Sequence, residues 1–265
     1  MKLTEKQITE RGEAVNFWVN SARRFALDHF HNLEKLQIQT KSSPMDLVSI
    51  VDKEIEISFR KFVAERFPGD SIIGEEQGSA NYDPEKPCWV IDPIDGTMPY
   101  LLGMPGWGIS VGLVTGGDVV FGMIDLSAKN ELYTAFKGKG TFCNGKQVFI
   151  DQEARIKTKP LAAGISHRSD PGPYCKFLEK YMRAGGGFLR TGSCVDLMTY
   201  LASGRIAAYY EPHINSWDCM AGLILVREAG GTDGVTIDEK FLLEGGELLA
   251  GNKEIIKEIE AILRS

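Results

Sequence analysis

Two aspartates in the first half of the chain have the type and spacing of a metal site. Asp92 and Asp95 follow an apolar run, Trp89 to Ile91, whose β-branched residues predict a buried strand. Two carboxylates about 5 Å apart repel each other by roughly 3 kcal/mol at an effective dielectric constant of about 20. A cation between them removes this repulsion, and ligands that are all oxygen suit Mg²⁺ first. The sequence therefore predicts a magnesium site at the end of this strand.

Two further acidic stretches lie before and after this pair. Gly74-Glu75-Glu76 ends a short predicted strand, and Trp217-Asp218 opens a helix predicted over 216–229, with Ser216 as its expected N-cap. Each has a plain structural explanation when taken alone. A Gly-Glu-Glu tripeptide is typical of a solvated turn, and the helix dipole favours an acid in a first turn.

Together, however, the three stretches resemble the signatures of the inositol monophosphatase family of metal-dependent phosphomonoesterases. The matching motifs are Gly74-Glu75-Glu76, Asp92-Pro93-Ile94-Asp95-Gly96-Thr97, Trp217-Asp218-x-x-Ala221-Gly222 and Glu228-Ala229-Gly230-Gly231. They occur in the family's order, and the resemblance extends over nearly the whole chain, including Lys41 to Val48 and the predicted hairpin from Lys137 to Gly145. It implies a layered αβαβα sandwich that combines α+β and α/β parts.

The resemblance also implies which residues bind metal. Glu75, Asp92 and the backbone carbonyl of Ile94 would bind one Mg²⁺, and Asp92 would be shared with a second ion held by Asp95 and Asp218. A third, weaker site would use Glu75 and waters. Two or three Mg²⁺ ions per active site are therefore implied, together with inhibition by Li⁺ at the second site.

Hydrolysis in this family needs no covalent enzyme intermediate. Paired metal ions clamp the phosphate oxygens and lower the pKa of an attacking water in an in-line displacement. By the resemblance, Thr97 would orient that water through a hydrogen bond to Asp52, and Glu75 would take part in catalysis. Asp52 lies in the first turn of a second predicted helix, where it would otherwise be explained by the helix dipole.

The resemblance places the substrate beside these groups. Gly96 and Thr97 open a short predicted helix, whose first N–H groups and dipole would receive the phosphate. Glu211 precedes Asp218 by seven residues, as does a glutamate that binds ring hydroxyls in inositol monophosphatases. The other positions implied to contact the substrate are Asp95, Ser166, Gly192, Ser193, Cys194 and Asp218.

The loop after Thr97 leaves the identity of the substrate undecided between two phosphate esters. The pattern Gly103-x-Pro105-x-Trp107-Gly108 resembles that of histidinol-phosphate phosphatases of the same family, whereas Glu211 favours an inositol ester. The first hypothesis is Mg²⁺-dependent hydrolysis of myo-inositol 1-phosphate, and the alternative is hydrolysis of L-histidinol phosphate. A nucleotide 3′-phosphatase is disfavoured by Met98, where those enzymes usually have Lys.

An alternative from a different class is a catalytically silent regulatory or binding protein that kept this fold. Loss of a metal ligand or of the Thr97–Asp52 pair would indicate such a protein. All of these residues are present in the sequence. The enzyme is therefore the preferred hypothesis.

Composition and charge narrow the class of protein. The 265 residues are 43% hydrophobic and 25% charged, as in ordinary globular proteins, and the formal net charge of −6 argues against a nucleic acid as partner. No apolar run reaches the roughly 18 residues of a membrane span, and Met1 to Gln7 lack a signal-peptide core. We therefore expect a cytoplasmic protein without membrane contact. Its expected partners are a small-molecule phosphate monoester and, by the resemblance, a second copy of the chain.

The pattern of elements divides the chain near residue 150. In residues 1–150, two amphipathic helices and a series of strands joined by tight turns predict a helix pair against an antiparallel sheet, which carries most metal ligands. In residues 151–265, strands and helices alternate and predict an α/β layer with Asp218 and the substrate-side residues. We expect the two parts to pack tightly as one unit. Five scattered cysteines without a Cys-x-x-Cys spacing are expected to be reduced and mostly buried.

Overall fold

The computed structural model describes residues 2–35, 38–40, 47–166 and 169–265. Most of the matched stretch from Lys41 to Val48 lies outside these residues. The helices are α1 (Glu5–Phe30), α2 (Ile50–Arg66), α3 (Thr97–Leu101), α4 (Pro171–Arg183), α5 (Cys194–Ala202), α6 (Ser216–Glu228), α7 (Glu239–Glu244) and α8 (Lys253–Arg264). Short 3-10 helices lie at Leu33–Lys35 and Ser127–Lys129.

The strands form two main sheets and one small ribbon. The strands are β1 (Ile38–Thr40), β2 (Leu47–Ser49), β3 (Ser71–Gly74), β4 (Cys88–Asp95), β5 (Gly108–Thr115), β6 (Asp118–Leu126), β7 (Glu131–Phe136), β8 (Gly140–Cys143), β9 (Lys146–Val148), β10 (Leu161–Ala163), β11 (Phe188–Leu189), β12 (Ala208–Ile214), β13 (Thr232–Asp233) and β14 (Gly246–Gly251). A seven-stranded sheet has the order β3-β4-β5-β6-β7-β8-β9, and a five-stranded sheet has the order β11-β10-β12-β14-β13. Within the residues described above, β1 and β2 form a two-stranded antiparallel ribbon.

From the sequence we predicted that the first sheet is antiparallel, but one of its strand pairs is parallel. β3 pairs parallel with β4, with Ser71 opposite Cys88 and Gly74 opposite Ile91. The segment 75–87 between them is long enough for the crossover of a dozen or more residues that parallel strands require. Because both strands run in the same direction, the acidic residues that follow β3 emerge at the same sheet edge as those that end β4.

Helices cover both sheets and produce five layers. α1 and α2 pack on one face of the seven-stranded sheet, where Trp18 and Phe59 meet edge to face with ring centroids 4.8 Å apart. α5 and α6 are buried between the two sheets, and α4 and α8 cover the outer face of the five-stranded sheet. This is the predicted αβαβα order. The burial of α6 on all sides explains its near-continuous apolar sequence, Cys219 to Val226.

The second sheet is mixed. β10 pairs parallel with β11 and β12, whereas β14 pairs antiparallel with β12 and β13. Our element predictions did not include β1, β2, α7 or β13, which are too short to give a periodic signal. The seven-stranded sheet ends at Val148 and the five-stranded sheet starts at Leu161. The division of the chain near residue 150 stays a prediction.

Two further properties, the apolar length of the helices and the state of the cysteines, complete the description. Among the helices of the described residues, none is both long and apolar enough to cross a bilayer. All five cysteines lie in the described part of the chain and are unpaired. Cys88, Cys194 and Cys219 are buried, whereas Cys175 is exposed.

Candidate active site

The end of β4 brings three carboxylates together. Asp92 and Asp95 would point to opposite faces of a regular strand, because side chains alternate with a period of two. The register of β4 against β5 shifts between these two residues, and such an irregularity re-aims side chains. As a result, Asp92, Asp95 and Asp218 each offer a carboxylate oxygen, and the three oxygens lie within 4.8 Å of one another.

Asp218 is held by the start of α6. Its Oδ2 accepts hydrogen bonds from the backbone N–H and the side-chain Nδ2 of Asn215, at 3.2 and 3.0 Å. Asn215 is therefore the N-cap, and our prediction of Ser216 was wrong by one residue. Ser216 is the first helical residue, and its hydroxyl donates to the backbone oxygen of Leu242 at 2.7 Å. Asp218 lies in the first turn, as predicted.

Without a cation, this cluster is electrostatically unfavourable. Burial raises the pKa of Asp92 well above its usual range, and the charges of Glu75, Asp95 and Asp218 raise it further. Burial also raises the pKa of Asp95, and the charge of Asp218 raises it further. Hydrogen bonds from the Ser193 hydroxyl and the Val195 N–H lower this pKa. A bound cation would stabilise the charged forms. Because the donors are all carboxylate oxygens, the cluster fits Mg²⁺.

Glu75 approaches this cluster from β3. Its backbone N–H donates to the carbonyl of Ile91 at 3.3 Å, one residue before Asp92. Its carboxyl group is hydrogen-bonded to Asp92, which contributes to the raised pKa of Asp92. Glu75 therefore lies beside the three-acid cluster, on the side of Asp92.

Thr97 lies at the start of α3 with two acceptors within reach. Its hydroxyl oxygen is 3.3 Å from Oδ1 of Asp52 and 3.2 Å from the backbone oxygen of Ile94. Asp52 is fully buried in the first turn of α2. Thr97 thus links α2 to the carbonyl that the family resemblance implies as a metal ligand.

Gly96 is the N-cap of α3, with a φ of +86°. This left-handed conformation favours glycine. A Cβ atom at this position would also lie 2.8 Å from Cβ of Ser193 and 2.9 Å from the backbone oxygen of Gly106. Both the conformation and the close approach therefore require glycine here.

A cavity of about 190 Å³ opens beside the acidic cluster. Its lining includes seven residues that the sequence analysis placed on the substrate side, namely Asp95, Ser166, Gly192, Ser193, Cys194, Glu211 and Asp218. Gly96 and Thr97 are not part of this lining. They lie at the start of α3, where Gly96 packs against Ser193. The substrate roles of all nine residues stay predictions.

Several residues at the site were not predicted from the sequence. Arg190 lines the cavity and donates from Nη2 to the backbone oxygen of Ile165 at 3.2 Å. Tyr209 lines it too, and its hydroxyl donates to Glu211. The spacing of Tyr209 and Glu211, two residues apart on a strand, could have indicated a shared face. Nothing in the local sequence marks Arg190, whose position follows from the parallel pairing of β11, which ends one residue earlier, with β10.

Glu211 gives a prediction about pH and stability. Burial raises its pKa to about 7, although the Tyr209 hydrogen bond lowers it. The contribution of Glu211 to stability is thus fully present below the unfolded pKa of about 4.5 and is lost as pH rises through 7. By pH 8 the charged form destabilises the metal-free protein by about 3 kcal/mol. Glu211→Gln should therefore gain stability relative to the parent chain between pH 4.5 and pH 8.

Urea unfolding in EDTA at both pH values measures this difference. Glu244→Gln is a suitable control, because Glu244 is exposed on α7. Its stability should follow the pH profile of the parent chain. Parallel profiles for the parent chain and Glu211→Gln would contradict the prediction.

Comparisons with known proteins agree with this geometry. The model of the inositol monophosphatase family matches residues 13–264. An inositol-1-monophosphatase of Bacillus subtilis is 35% identical over 258 residues, which cover 95% of each chain. A Xylella fastidiosa protein named Nus factor SuhB is 34% identical over 265 residues, covering 95% of this chain and 94% of that one.

Structural similarity extends over the whole molecule. A staphylococcal inositol monophosphatase, solved as an inhibitory complex after soaking in 100 mM LiCl, has a TM-score of 0.87 and 21% identity, covering 99% of this chain and 97% of that one. This likeness shows the fold alone. Taken with the sequence relatives and the family match, it shows that the chain belongs to the inositol monophosphatase family and is a phosphoric monoester hydrolase.

Proposed function

We propose that this enzyme hydrolyses myo-inositol 1-phosphate to inositol and phosphate in a Mg²⁺-dependent reaction. The observation that carries the proposal is that Asp95 and Asp218 belong both to the acidic cluster and to the wall of the cavity that contains Glu211. A phosphate bound at the cluster would therefore extend its alcohol towards Glu211. The relative from Bacillus subtilis, named an inositol-1-monophosphatase, supports the same substrate.

Metal binding would use the acids already described. We assign Asp92, Asp95 and Asp218, with Glu75 and the Ile94 carbonyl, as the ligands of two or three Mg²⁺ ions. Bound there, Mg²⁺ supplies positive charge that polarises the phosphate oxygens and lowers the pKa of a nucleophilic water.

Thr97 and Asp52 would orient the attacking water. The Thr97 hydroxyl can donate to the buried Asp52 carboxylate, at 3.3 Å, and then offers its lone pairs to a water proton. Because Asp52 is fixed within α2, the direction of that lone pair is set before the substrate binds. Ser193 and Val195 similarly fix Asp95, since the Ser193 hydroxyl and the Val195 N–H both donate to its Oδ2.

The leaving group would bind in the cavity. Glu211 accepts a hydrogen bond from Tyr209 and is placed to accept others from the hydroxyls of a polyol. The volume of about 190 Å³ is below the range of roughly 300–1,000 Å³ typical of sites for drug-sized ligands. A single small polyol suits this space better than a nucleotide.

One observation weighs against histidinol phosphate. The loop from Gly103 to Gly108, which resembles that of histidinol-phosphate phosphatases, packs by its Gly106 against Gly96 and near Asp196. In this structure the loop supports the start of α3 and contributes nothing to the cavity lining among the described residues.

Phosphate release from myo-inositol 1-phosphate and L-histidinol phosphate, measured side by side, tests the proposal. We expect kcat/KM to be at least about 10-fold larger for the inositol ester, corresponding to about 1.4 kcal/mol of transition-state discrimination. EDTA should abolish both activities, and Li⁺ should inhibit in the presence of Mg²⁺. A preference for histidinol phosphate would select the alternative substrate, and activity in EDTA would contradict the metal assignment. No phosphate release from any monoester would favour the silent binding protein.

A homodimer and a cytoplasmic location stay predictions. Both are expectations from the amino-acid sequence, the first through the family resemblance. Sedimentation of the purified protein measures the first.

A further inference from the structure

A buried glutamate on α2 has no part in the mechanism described so far. Glu56 is fully buried, and its carboxylate accepts three hydrogen bonds. Oε2 accepts the backbone N–H of Glu76 at 2.7 Å, and Oε1 accepts that of Gln77 at 3.1 Å. Oε1 also accepts Nε of Arg60 at 2.8 Å, so that the negative charge is paired within the helix.

These contacts hold the turn that follows β3. Gly74 and Gly78 exchange backbone hydrogen bonds of 3.2 and 3.0 Å, which close the turn around Glu75, Glu76 and Gln77. Arg60 extends the same network, because its Nη2 donates to the carbonyl of Gly78 at 2.8 Å. The turn is thus attached to α2 at three of its positions.

Glu75 is fixed between this network and β4. Its own N–H donates to Ile91 at 3.3 Å, while the next two N–H groups along the chain donate to Glu56. The close approach of Glu56 also explains the glycine at position 74. A Cβ atom there would lie 2.4 Å from Oε1 of Glu56.

The position of Glu56 on the helix adds a second argument. It follows Asp52 by four residues, which places both carboxylates on the same buried face of α2. Asp52 accepts the hydroxyl of Thr97, and Glu56 accepts the N–H groups beside Glu75. One helix therefore carries two acids that reach two different parts of the site.

We propose that Glu56 is a positioning residue for metal binding, which holds the carboxylate of Glu75 towards Asp92 by anchoring the turn 75–78. This proposal rests on the proposed function, since it requires Glu75 to be a Mg²⁺ ligand. Partners that orient a metal ligand without contacting the metal change metal affinity by roughly 10- to 100-fold when they are removed. Charge-assisted bonds to backbone N–H groups are suited to this role because they are short and directional.

Calorimetric titration of Mg²⁺ into the EDTA-treated, dialysed protein tests the proposal. Glu56→Gln retains the size of the side chain. However, its amide NH₂ cannot accept a hydrogen bond and would face one of the N–H groups that donate to Glu56. We expect it to weaken Mg²⁺ binding about 10- to 100-fold. Saturating Mg²⁺ should then restore kcat towards the parent value, which a purely structural defect would not allow. Glu56→Asp keeps the charge and loses one methylene, so its Mg²⁺ affinity should lie between those of the parent chain and Glu56→Gln. It replaces Glu56→Gln in the test if that variant does not fold.

Asp233→Asn is the matched control. The side chain of Asp233 is also buried, is paired with Arg227 through Nε at 2.7 Å and accepts a backbone N–H, from Val235, at 2.9 Å. Its side chain is not among the groups at the acidic cluster or the cavity. This substitution should lower the melting temperature, as we also expect of Glu56→Gln, and leave Mg²⁺ affinity unchanged.

The outcomes separate this proposal from the proposed function. If folded Glu56→Gln binds Mg²⁺ as tightly as the parent chain, the role of Glu56 is overturned. If Glu56→Gln does not fold, the same result with folded Glu56→Asp overturns it. Glu75→Gln is the reference, and a normal Mg²⁺ affinity in this variant would overturn the route through Glu75. A parent chain that binds no Mg²⁺ would reject the proposed function, and the role of Glu56 with it.

Discussion

Asp92→Asn is expected to lower kcat/KM for phosphate-ester hydrolysis by at least about 10³-fold. Asp92 lies in the centre of the acidic groups, with Glu75 on one side and Asp95 and Asp218 on the other. Loss of its charge weakens both of the Mg²⁺ sites that would share Asp92. Metal ions contribute several kcal/mol of transition-state stabilisation, and each 1.36 kcal/mol corresponds to a factor of ten in rate.

The same substitution should stabilise the metal-free protein at neutral and alkaline pH. The pKa of Asp92 in the folded state is raised by burial and by the neighbouring carboxylates. Its contribution to stability is therefore present below the unfolded pKa and is lost as pH rises through the folded pKa. Asparagine cannot ionise, so the advantage of the variant in EDTA should grow from acidic to alkaline pH.

Steady-state kinetics in saturating Mg²⁺ and thermal unfolding in EDTA measure the two effects. Asp233→Asn is again the control, because it breaks an ion pair between the buried Asp233 carboxylate and the partly exposed Arg227, away from the site. It should lose stability and keep its activity, which is the reverse of Asp92→Asn. Unchanged turnover of Asp92→Asn in saturating Mg²⁺ would contradict the assignment of the active site.

Thr97→Val should lower kcat by about 10²- to 10⁴-fold, the usual contribution of a positioned proton-transfer group. Valine has nearly the shape of threonine but has no hydroxyl to bridge Asp52 and the attacking water. Substrate affinity should change little, because the hydroxyl acts on water and not on the phosphate ester. Thr97→Ser, which retains the hydroxyl, is the control and should keep most activity.

A double-mutant cycle with Asp52→Asn tests whether the two residues act as one unit. Oγ1 of Thr97 lies 3.3 Å from Oδ1 of Asp52. The effects of mutations at residues in such direct contact usually do not add. The double variant should therefore be about as slow as Thr97→Val alone. Strictly additive effects would show that Asp52 serves the fold of α2 and not the water.

The amino-acid sequence by itself determined the chemical types at the site and most of the elements that carry them. The apolar run of β4 ends in its two aspartates, helical spacing predicted two amphipathic helices where α1 and α2 lie, and α6 was predicted near its observed bounds. These features follow from local rules, because hydrophobic periodicity and capping residues act over a few positions. The order of three acidic motifs was enough to indicate the family, which the comparisons then showed.

Only the tertiary structure decided how these groups meet. The parallel pairing of β3 with β4 brings Glu75 beside Asp92, and the register shift in β4 turns Asp95 towards Asp218. Neither follows from a local pattern, because both depend on contacts between segments far apart in the chain. The same is true of Arg190 in the cavity and of Glu56. Helical spacing places Glu56 on the same face of α2 as Asp52, but it does not show which N–H groups donate to its carboxylate. Long-range packing selects the partners of a polar group, and the local sequence only supplies the group.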